Sequence, residues 1–305
     1  MIENTVWKEI EAFAAEGAFL YNEPLRDHTT FRVGGEADAF LSVQSGDELK
    51  KVLLLCKAQQ IPYFVLGNGS NLLVSDKGFR GLIISIGNYM SEIKIEGKRI
   101  YVEAGALLGQ VAQAAAKNGL TGMEFAAGIP GTVGGAIVMN AGAYDGEMKQ
   151  IVETVTVMTP EGEIRNFTGA EMEFGYRTSR LKREPGIVLS VTLLLKEGRM
   201  TEIREKMSDF ALRRREKQPL EYPSAGSTFK RPEGMFAGKL IMDAGLRGYT
   251  VGGARVSDKH CGFVINKDGA TAEDINTLIK DVQEKVEEKF GVYLEPEVIF
   301  VGDFR

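Results

Sequence analysis

Apolar residues recur at helical spacing in six stretches, and each stretch predicts a helix with one buried face. The most regular stretch follows Thr271, which forms a capping box with Asp274, and six apolar residues keep the spacing up to Phe290. A second capping box, Ser45 with Glu48, opens a helix to about residue 59. The other helices are predicted over residues 3–16, 107–118, 201–217 and 236–244.

Short apolar runs between these helices predict strands. Their order predicts a small α/β unit over roughly 20–90 and a mixed second unit after it. From residue 227, the order strand, helix, strand, strand, helix, strand predicts a compact C-terminal domain of the split βαβ type. The strands are predicted over residues 63–66, 72–75, 82–86, 93–102, 151–158, 163–167, 187–195, 251–256, 261–266 and 292–301.

The length of 305 residues fits a three-part division, which we place at 1–90, 91–200 and 201–305. Hydrophobic residues are 44% and charged residues 26%, as in soluble globular proteins. A net charge of −5 does not indicate nucleic acid, and no apolar run approaches the ~18 residues of a membrane span. Since no signal-peptide pattern precedes the first helix, we expect a cytoplasmic protein. We also expect it to be a monomer without nucleic-acid or membrane partners.

Glycine is the unusual component, at 36 of 305 residues, roughly 12% where about 7% is typical. One cluster, Gly67-Asn68-Gly69-Ser70-Asn71, follows a strand and favours either a hairpin turn or a phosphate cradle of backbone amides. A second spans 128–144 with apolar residues between its glycines, which favours a buried loop wrapped on a ligand over a plain surface loop. Together they predict one large ligand with a diphosphate.

Several common sites are excluded. No GxGxxG or GxSxG occurs, and Gly234–Lys239 is one residue short of a P-loop, with Leu240 at the Ser/Thr position. The cysteines, Cys56 and Cys261, form no paired motif and predict reduced thiols. With only two histidines in the chain, a His-rich metal site is impossible, so we expect no metal, although a carboxylate-only Mg²⁺ site stays open.

Three polar positions suggest chemistry, and each also has a simpler structural interpretation. Arg177 lies beside a glycine turn and is otherwise an ordinary surface arginine. Ser227 begins a strand near Lys230 and is otherwise an ordinary hydroxyl. Glu295 and Glu297 alternate in the last predicted strand, so both face the same side of it. The residues alone do not decide between these interpretations.

Eight short segments, in order from about Thr29 to Val301, carry a specific resemblance to a known family. They are TFRVGG at 30–35, GNGSNLL at 67–73, GIPGTVGGA at 128–136, NAGAY at 140–144, YRTS at 176–179, AGSTFKRP at 225–232, AGKLIMDAGLRG at 237–248 and LEPEV at 294–298. Together they resemble the UDP-N-acetylenolpyruvoylglucosamine reductase family, flavoenzymes that make UDP-N-acetylmuramate for bacterial peptidoglycan.

The resemblance implies an α+β protein, with a vanillyl-alcohol-oxidase-type FAD-binding fold of two α/β subdomains and a C-terminal α+β substrate-binding domain. It implies that NADPH reduces FAD, which passes hydride from N5 to the vinyl carbon of UDP-N-acetylglucosamine enolpyruvate. This step belongs to cell-wall synthesis, and so to cell shape and division. NADPH would visit the substrate cleft in a ping-pong cycle, and the two glycine segments would hold FAD in place of a Rossmann turn.

Residue roles follow from the same resemblance. Arg177 and Glu297 would stabilise the enolate formed by hydride transfer, and Ser227 would protonate it. Serine is a weak acid in water, so Lys230 and Arg231 would stabilise its alkoxide. FAD would be bound by Gly67, Asn68, Gly69, Ser70, Asn71, Gly128, Pro130, Gly131, Thr132, Gly134, Gly135, Asn140 and Gly142. The substrate would be bound by Tyr176, Lys217, Lys230, Arg231 and His260, with Lys217 on the diphosphate and a structural role as an equal alternative for His260.

The chain departs from one branch of the family. Arg231 replaces an asparagine of that branch, and the branch's inserted tyrosine loop is missing, so the chain resembles a shorter subtype. FAD should be non-covalent, since residues 57–259 contain no His or Cys. Two alternatives are a flavin oxidase of the same fold and a non-catalytic flavin- or nucleotide-sugar-binding module. The presence of Arg177, Ser227 and Glu297, each within a longer motif, favours the reductase.

Overall fold

The computed structural model describes residues 4–305, and its helices follow the apolar spacing of the sequence. Ser45 caps the second helix by accepting the Glu48 amide at 3.2 Å. The predicted Thr271–Asp274 capping box opens the last helix, which Gly291 ends in the left-handed region at φ 67°. The helices are α1 (Asn4–Glu11), α2 (Gly46–Ala58), α3 (Leu108–Lys117), α4 (Val133–Met139), α5 (Met200–Lys217), α6 (Ala237–Asp243) and α7 (Ala272–Phe290).

The strands are short and are spread along the whole described chain. They are β1 (Phe19–Pro24), β2 (Glu36–Ser42), β3 (Tyr63–Leu66), β4 (Leu72–Val74), β5 (Phe79–Ser85), β6 (Ile93–Glu96), β7 (Arg99–Glu103), β8 (Leu120–Thr121), β9 (Gly142–Ala143), β10 (Gly146–Glu147), β11 (Val152–Met158), β12 (Ile164–Thr168), β13 (Ile187–Leu194), β14 (Lys196–Glu197), β15 (Thr250–Val251), β16 (Ala254–Val256), β17 (Val264–Asn266) and β18 (Ile299–Val301). Mixed helices and sheets confirm the α+β class.

Three sheets organise most of these strands. A four-stranded sheet has the order β1-β2-β5-β3, with β3 and β5 parallel. A five-stranded antiparallel sheet has the order β12-β11-β13-β7-β6. A three-stranded antiparallel sheet has the order β15-β16-β17, and the remaining pairs are β9 with β10, β8 with β14, and β4 with β18.

The chain forms two compact units, each with its own apolar core. The first unit takes in residues up to Tyr21, Ala39–Asn68 and Gly81–Leu212. Its core includes the buried faces of α2, α3 and the five-stranded sheet. The second unit consists of Asn22–Asp38, Gly69–Arg80 and Arg213–Arg305. Its core is centred on α7 and includes β16 and Leu73 of β4. None of the helices in residues 4–305 is both long and apolar enough to cross a bilayer.

Two predicted strands are in fact hairpins. The strand predicted over 93–102 reverses at Gly97, and the one predicted over 251–256 reverses at Gly252. Both glycines are left-handed, with φ of 58° and 52°, as two-residue hairpin turns require. A two-residue turn preserves the apolar–polar alternation, so the alternation itself does not mark the reversal.

Two other predicted elements are shorter than expected. The first helix ends at Glu11 rather than residue 16, and its predicted start at residue 3 lies outside the described residues. The strand predicted over 292–301 is only β18, which pairs in parallel with β4. The prediction of a split βαβ domain is therefore wrong, because its first strand, expected from residue 227, forms only an isolated bridge between Phe229 and Pro296, and its last strand pairs with β4. Pro296 has no amide to extend that pairing.

Candidate active site

The second glycine cluster contains a helix, so the prediction of a continuous loop is wrong. Thr132 caps α4 by accepting the Gly135 amide at 3.3 Å. The amides of Val133 and Gly134 donate to Ala106 and Ala104, each at 2.8 Å. A β-carbon on Gly134 would lie 3.1 Å from that of Ala104, so glycine lets the helix pack closely on this backbone. The first-turn amides of α4 are thus used within the protein.

Within the first unit, the start of the first glycine cluster contacts the second cluster. The side-chain amide of Asn68 donates to the Pro130 carbonyl at 2.7 Å. A β-carbon on Gly67 would collide with the Thr132 hydroxyl. Next along this segment, the Gly131 carbonyl accepts the Leu108 amide at 2.9 Å. The contacts of Gly67 and Asn68 hold the start of the first cluster against the residues that precede α4.

The backbone amides of residues 67–71 are a candidate anion cradle. Within residues 4–305, none of its five amides donates to a protein acceptor. Its carbonyls are held instead: Gly69 accepts the Thr30 amide at 3.3 Å, and Asn71 accepts the Ile299 amide at 2.9 Å. Gly69 is left-handed at φ 59°, and a β-carbon there would collide with the His28 carbonyl. Consecutive unpaired amides of this kind fit a phosphate group.

Thr30 lies beside the cradle, where its amide donates to the Gly69 carbonyl. Its hydroxyl oxygen is buried and has no hydrogen-bond partner within the described residues. A buried hydroxyl without a partner costs roughly 1–3 kcal/mol, so a ligand oxygen in this place would satisfy it. Thr30 was absent from the predicted cofactor residues, and only its position in the TFRVGG segment could have indicated it. The cradle and this hydroxyl together fit the phosphates of a dinucleotide.

Arg177 occupies a strained turn in the first unit. Gly175 and Thr178 close the turn with backbone bonds of 3.1 and 3.4 Å, and Arg177 is left-handed at φ 54°. That conformation costs about 1 kcal/mol or more in a non-glycine residue. The guanidinium donates to the Gly142 carbonyl at 3.3 Å, and its carbon lies 5.3 Å from the ring centre of Tyr176. Tyr176 itself is 54% exposed.

Asn140 supports this turn from α4. The residue is 1% exposed and left-handed, at φ 43°, where it ends the helix. Its side-chain nitrogen donates to the Gly175 carbonyl at 2.9 Å and to the Glu147 carboxylate at 3.0 Å. Its side-chain oxygen accepts the Lys149 amide at 2.9 Å. The predicted cofactor residue Asn140 therefore directs its side chain into the protein.

Ser227 and Glu297 lie on paired segments of the second unit. The Glu297 amide donates to the Thr228 carbonyl, and the Lys230 amide donates to the Glu295 carbonyl, both at 2.8 Å. Thr228 is buried and its hydroxyl accepts the Val264 amide at 3.0 Å, which ties this pair to β17. Ser227 is exposed, and its hydroxyl makes no hydrogen bond within residues 4–305. The Ser227 hydroxyl is therefore accessible to solvent.

The two glutamates of this segment differ in their surroundings. Glu295 is exposed and forms an ion pair with the Lys230 ammonium. Glu297 is half-buried, and its carbonyl accepts the Asn71 side-chain amide at 3.1 Å. Asn71 belongs to the candidate cradle, so the backbone of Glu297 is hydrogen-bonded to a cradle side chain. The two carboxyl groups therefore lie in different surroundings.

The remaining predicted substrate residues also lie in the second unit. Lys217 is exposed at the end of α5, and the Arg231 guanidinium carbon lies 4.6 Å from the ring centre of Phe236. The Nδ1 atom of His260 accepts the Gly262 amide at 3.1 Å, and its ring packs edge-on against Phe263. Burial lowers the pKa of His260, so the ring is neutral near pH 7 and carries its proton on Nε2.

These groups define a class of protein. The cradle amides suit a phosphate of a dinucleotide. The first unit offers a guanidinium, and the second offers a carboxyl and an exposed hydroxyl, which are the kinds of group that stabilise and protonate an enolate. Residues 37–168 match the model of the FAD binding domain family. A glucose oxidase variant of Phl p 4 shares the fold, with a TM-score of 0.52 at 14% identity over 64% of this chain and 44% of that one. The chain is an FAD-dependent oxidoreductase with a vanillyl-alcohol-oxidase-type fold.

The particular family follows from closer relatives. Residues 218–301 match the C-terminal domain of UDP-N-acetylenolpyruvoylglucosamine reductase. The reductase of Agathobacter rectalis is 50% identical over 99% of this chain and 100% of its own length, and that of Caldanaerobacter subterraneus is 50% identical over 97% of each. The crystal structure of the Thermus caldophilus reductase has a TM-score of 0.80 at 39% identity, over 93% of this chain and 98% of that one. The chain belongs to this family.

Proposed function

We propose that this protein reduces UDP-N-acetylglucosamine enolpyruvate to UDP-N-acetylmuramate with NADPH, in the synthesis of peptidoglycan precursors. The observation that carries the proposal is the row of unpaired amides at 67–71 beside the unpartnered Thr30 hydroxyl, in a chain of this reductase family. We assign flavin binding to residues 1–200 and substrate binding to residues 201–305. The enzyme acts in the cytoplasm as a monomer.

The cradle amides would bind the FAD diphosphate, and the Thr30 hydroxyl would donate to one of its oxygens. Asn68 and Thr132 would keep the two glycine clusters together around the cofactor. Bound FAD, once reduced by NADPH, supplies the hydride that adds to the vinyl carbon of the substrate. The protein then has to stabilise and protonate the resulting enolate.

Arg177 provides the positive charge. When hydride adds to the terminal vinyl carbon, the π electrons move toward the substrate carboxylate, and a guanidinium stabilises the negative charge that develops there. The strained turn fixes this group before substrate binds, which avoids a cost of reorganisation during the reaction. Glu297 acts on the same intermediate from its half-buried position.

Ser227 completes the reaction. Its hydroxyl proton passes to the carbon next to the carboxylate, which forms the C–H bond and leaves a serine alkoxide that solvent protonates again. Lys230 and Arg231 stabilise that alkoxide by their charge. Lys217 binds the diphosphate of the substrate, and Tyr176 and His260 bind its sugar portion, His260 through the proton on Nε2.

An absorption experiment tests the proposal. The purified protein should show a flavin spectrum in the visible range, and NADPH should bleach it under anaerobic conditions. One equivalent of the enolpyruvyl sugar per flavin should then restore the oxidised spectrum. Oxygen consumption driven by a sugar or an alcohol would support the oxidase alternative. Failure of NADPH to bleach a bound flavin would support the non-catalytic module.

A further inference from the structure

Two buried side chains clamp the turn that carries Arg177 onto α4. Asn140 donates to the Gly175 carbonyl at the start of the turn, at 2.9 Å. Ser179 donates to the Val138 carbonyl just after the turn, also at 2.9 Å. The two residues are 1% and 0% exposed. Both hydrogen bonds are therefore buried, and both join the turn to the C-terminal end of α4.

Asn140 also places the acceptor that holds the guanidinium. Gly142, whose carbonyl accepts from Arg177, follows Asn140 by two residues. The left-handed conformation of Asn140 ends α4 and directs the chain into β9. Asn140 thus contacts the turn through its side chain and sets the Gly142 carbonyl through its backbone. Asn140 is therefore linked both to the turn that carries Arg177 and to the segment that accepts the guanidinium hydrogen bond.

Only an amide side chain satisfies this position. The nitrogen of Asn140 gives both of its hydrogens, to Gly175 and Glu147, and the oxygen accepts from Lys149. An aspartate has no hydrogen to donate when ionised and would face the Glu147 carboxylate. A glycine would keep the left-handed backbone and remove only the side chain.

We propose that Asn140 is a positioning residue for the Arg177 guanidinium, with Ser179 as the second anchor. This inference rests on the proposed role of Arg177 in stabilising the enolate. The contacts with α4 and β9 add to the backbone bonds between Gly175 and Thr178 in holding the left-handed Arg177 turn. Loss of the Asn140 anchor lets the turn relax and moves the charge away from the developing carboxylate anion.

The test separates the two half-reactions by flavin absorbance. In Asn140→Gly, reoxidation by the enolpyruvyl sugar should slow by about 10- to 100-fold, since a small displacement of a catalytic group has effects of this size. Flavin reduction by NADPH and the Kd for FAD should change less than twofold. Asn118→Gly is the matched control, because Asn118 also caps a helix, donates to the Ala114 carbonyl and is exposed. Its half-reactions should match the wild type.

A double variant distinguishes this inference from the proposed function. Arg177→Ala should slow reoxidation strongly, and adding Asn140→Gly to it should cause no further loss, because the positioned group is gone. Multiplying losses would overturn the positioning role, as would a weakened Kd for FAD in Asn140→Gly. Normal reoxidation in Arg177→Ala would instead overturn the role of Arg177. If Asn140→Gly does not fold, Ser179→Ala decides: it should slow reoxidation alone, and wild-type rates would refute the clamp.

Discussion

At the scale of single residues, Glu295 and Glu297 are two carboxyl groups of one short segment that differ in their exposure and their contacts. Alternation places both on the same side, but Lys230 pairs with Glu295. Glu297 is less exposed and lies where the strand is hydrogen-bonded to Asn71. The pair therefore offers a matched comparison within three residues.

Glu297→Gln should lower turnover by about 100-fold or more, because the carboxyl that acts on the enolate is lost. Glu295→Gln should change turnover by less than about threefold, since an exposed ion pair contributes little. Steady-state assays with NADPH and the enolpyruvyl sugar measure both. The opposite order of effects would reassign the acid to Glu295.

Ser227→Ala should still accept hydride from NADPH, because the serine acts only after hydride reaches the substrate. Turnover of the enolpyruvyl sugar should fall by about 10²- to 10⁴-fold, as expected for loss of a general acid. Stopped-flow bleaching and reoxidation measure the two steps. Ser208→Ala, on an exposed position of α5, controls for the loss of a hydroxyl. Normal turnover in Ser227→Ala would remove Ser227 from the mechanism.

The residues that could be predicted from sequence are those whose chemistry is visible in a short motif. Asn68 and Thr132 follow from the glycine clusters, and the structure brings these clusters together. Thr30 could not be predicted in this way, because its significance is an unsatisfied hydroxyl that only burial reveals. The hydrogen bond from Ser179 to the Val138 carbonyl could not be predicted either, since the two residues are 41 positions apart in the sequence.

At the scale of elements, N-cap residues predicted where two helices begin, whereas glycines in a first turn hid the helix α4. Ser45 and Thr271 mark α2 and α7 because a hydroxyl acceptor for the third amide is a local interaction. The helix α4 was missed because two glycines in its first turn disfavour a helix. Tertiary packing on Ala104 overrides this preference, and Thr132 as an N-cap was the available signal.

Glu124, which lies in the turn after β8, gives a pH-dependent prediction. Burial raises the pKa of this carboxyl, but hydrogen bonds from Thr121 and Gly122, with the Lys206 charge, outweigh it and leave the pKa below its usual value. A lowered pKa in the folded state contributes stability above about pH 4.5, and this is lost as the pH falls further.

Glu124→Gln mimics the protonated carboxyl. Its deficit in the free energy of unfolding should be larger at pH 7 than at pH 4, because below about pH 4.5 the unfolded wild type takes up a proton that the folded carboxyl resists, and the stabilisation declines. Urea unfolding at both pH values measures this deficit. Glu9→Gln, on the exposed side of α1, reports the general effect of removing one negative charge. Equal deficits for Glu124→Gln at the two pH values would show that the charge is unimportant.

At the scale of the molecule, the flavin should be held by non-covalent contacts alone. Residues 57–259 offer no His or Cys, and the cradle at 67–71 binds through amides. Denaturing the yellow protein and filtering it should therefore release all of the FAD into the filtrate, where absorbance at visible wavelengths measures it. Colour retained with the protein would contradict this prediction.

The compact units could not be predicted from the order of elements. The second unit combines residues 213–305 with two earlier segments of the chain, 22–38 and 69–80. These segments are short and polar at their ends, and they give no local sign of pairing with distant strands. The parallel pairing of β4 with β18 depends on tertiary contacts alone.

That pairing has a consequence for how the enzyme is made. The side chain of Asn71 in the phosphate cradle is hydrogen-bonded to Glu297, which the ribosome adds 226 residues later. At roughly 5–20 residues per second, the cradle waits on the order of 10 to 50 s for this partner, so early folding cannot complete it. A nascent chain should therefore capture its flavin only after the β18 segment has left the ribosome. Stalled or prematurely ended chains would accumulate without cofactor, which links the acquisition of FAD to the completion of translation.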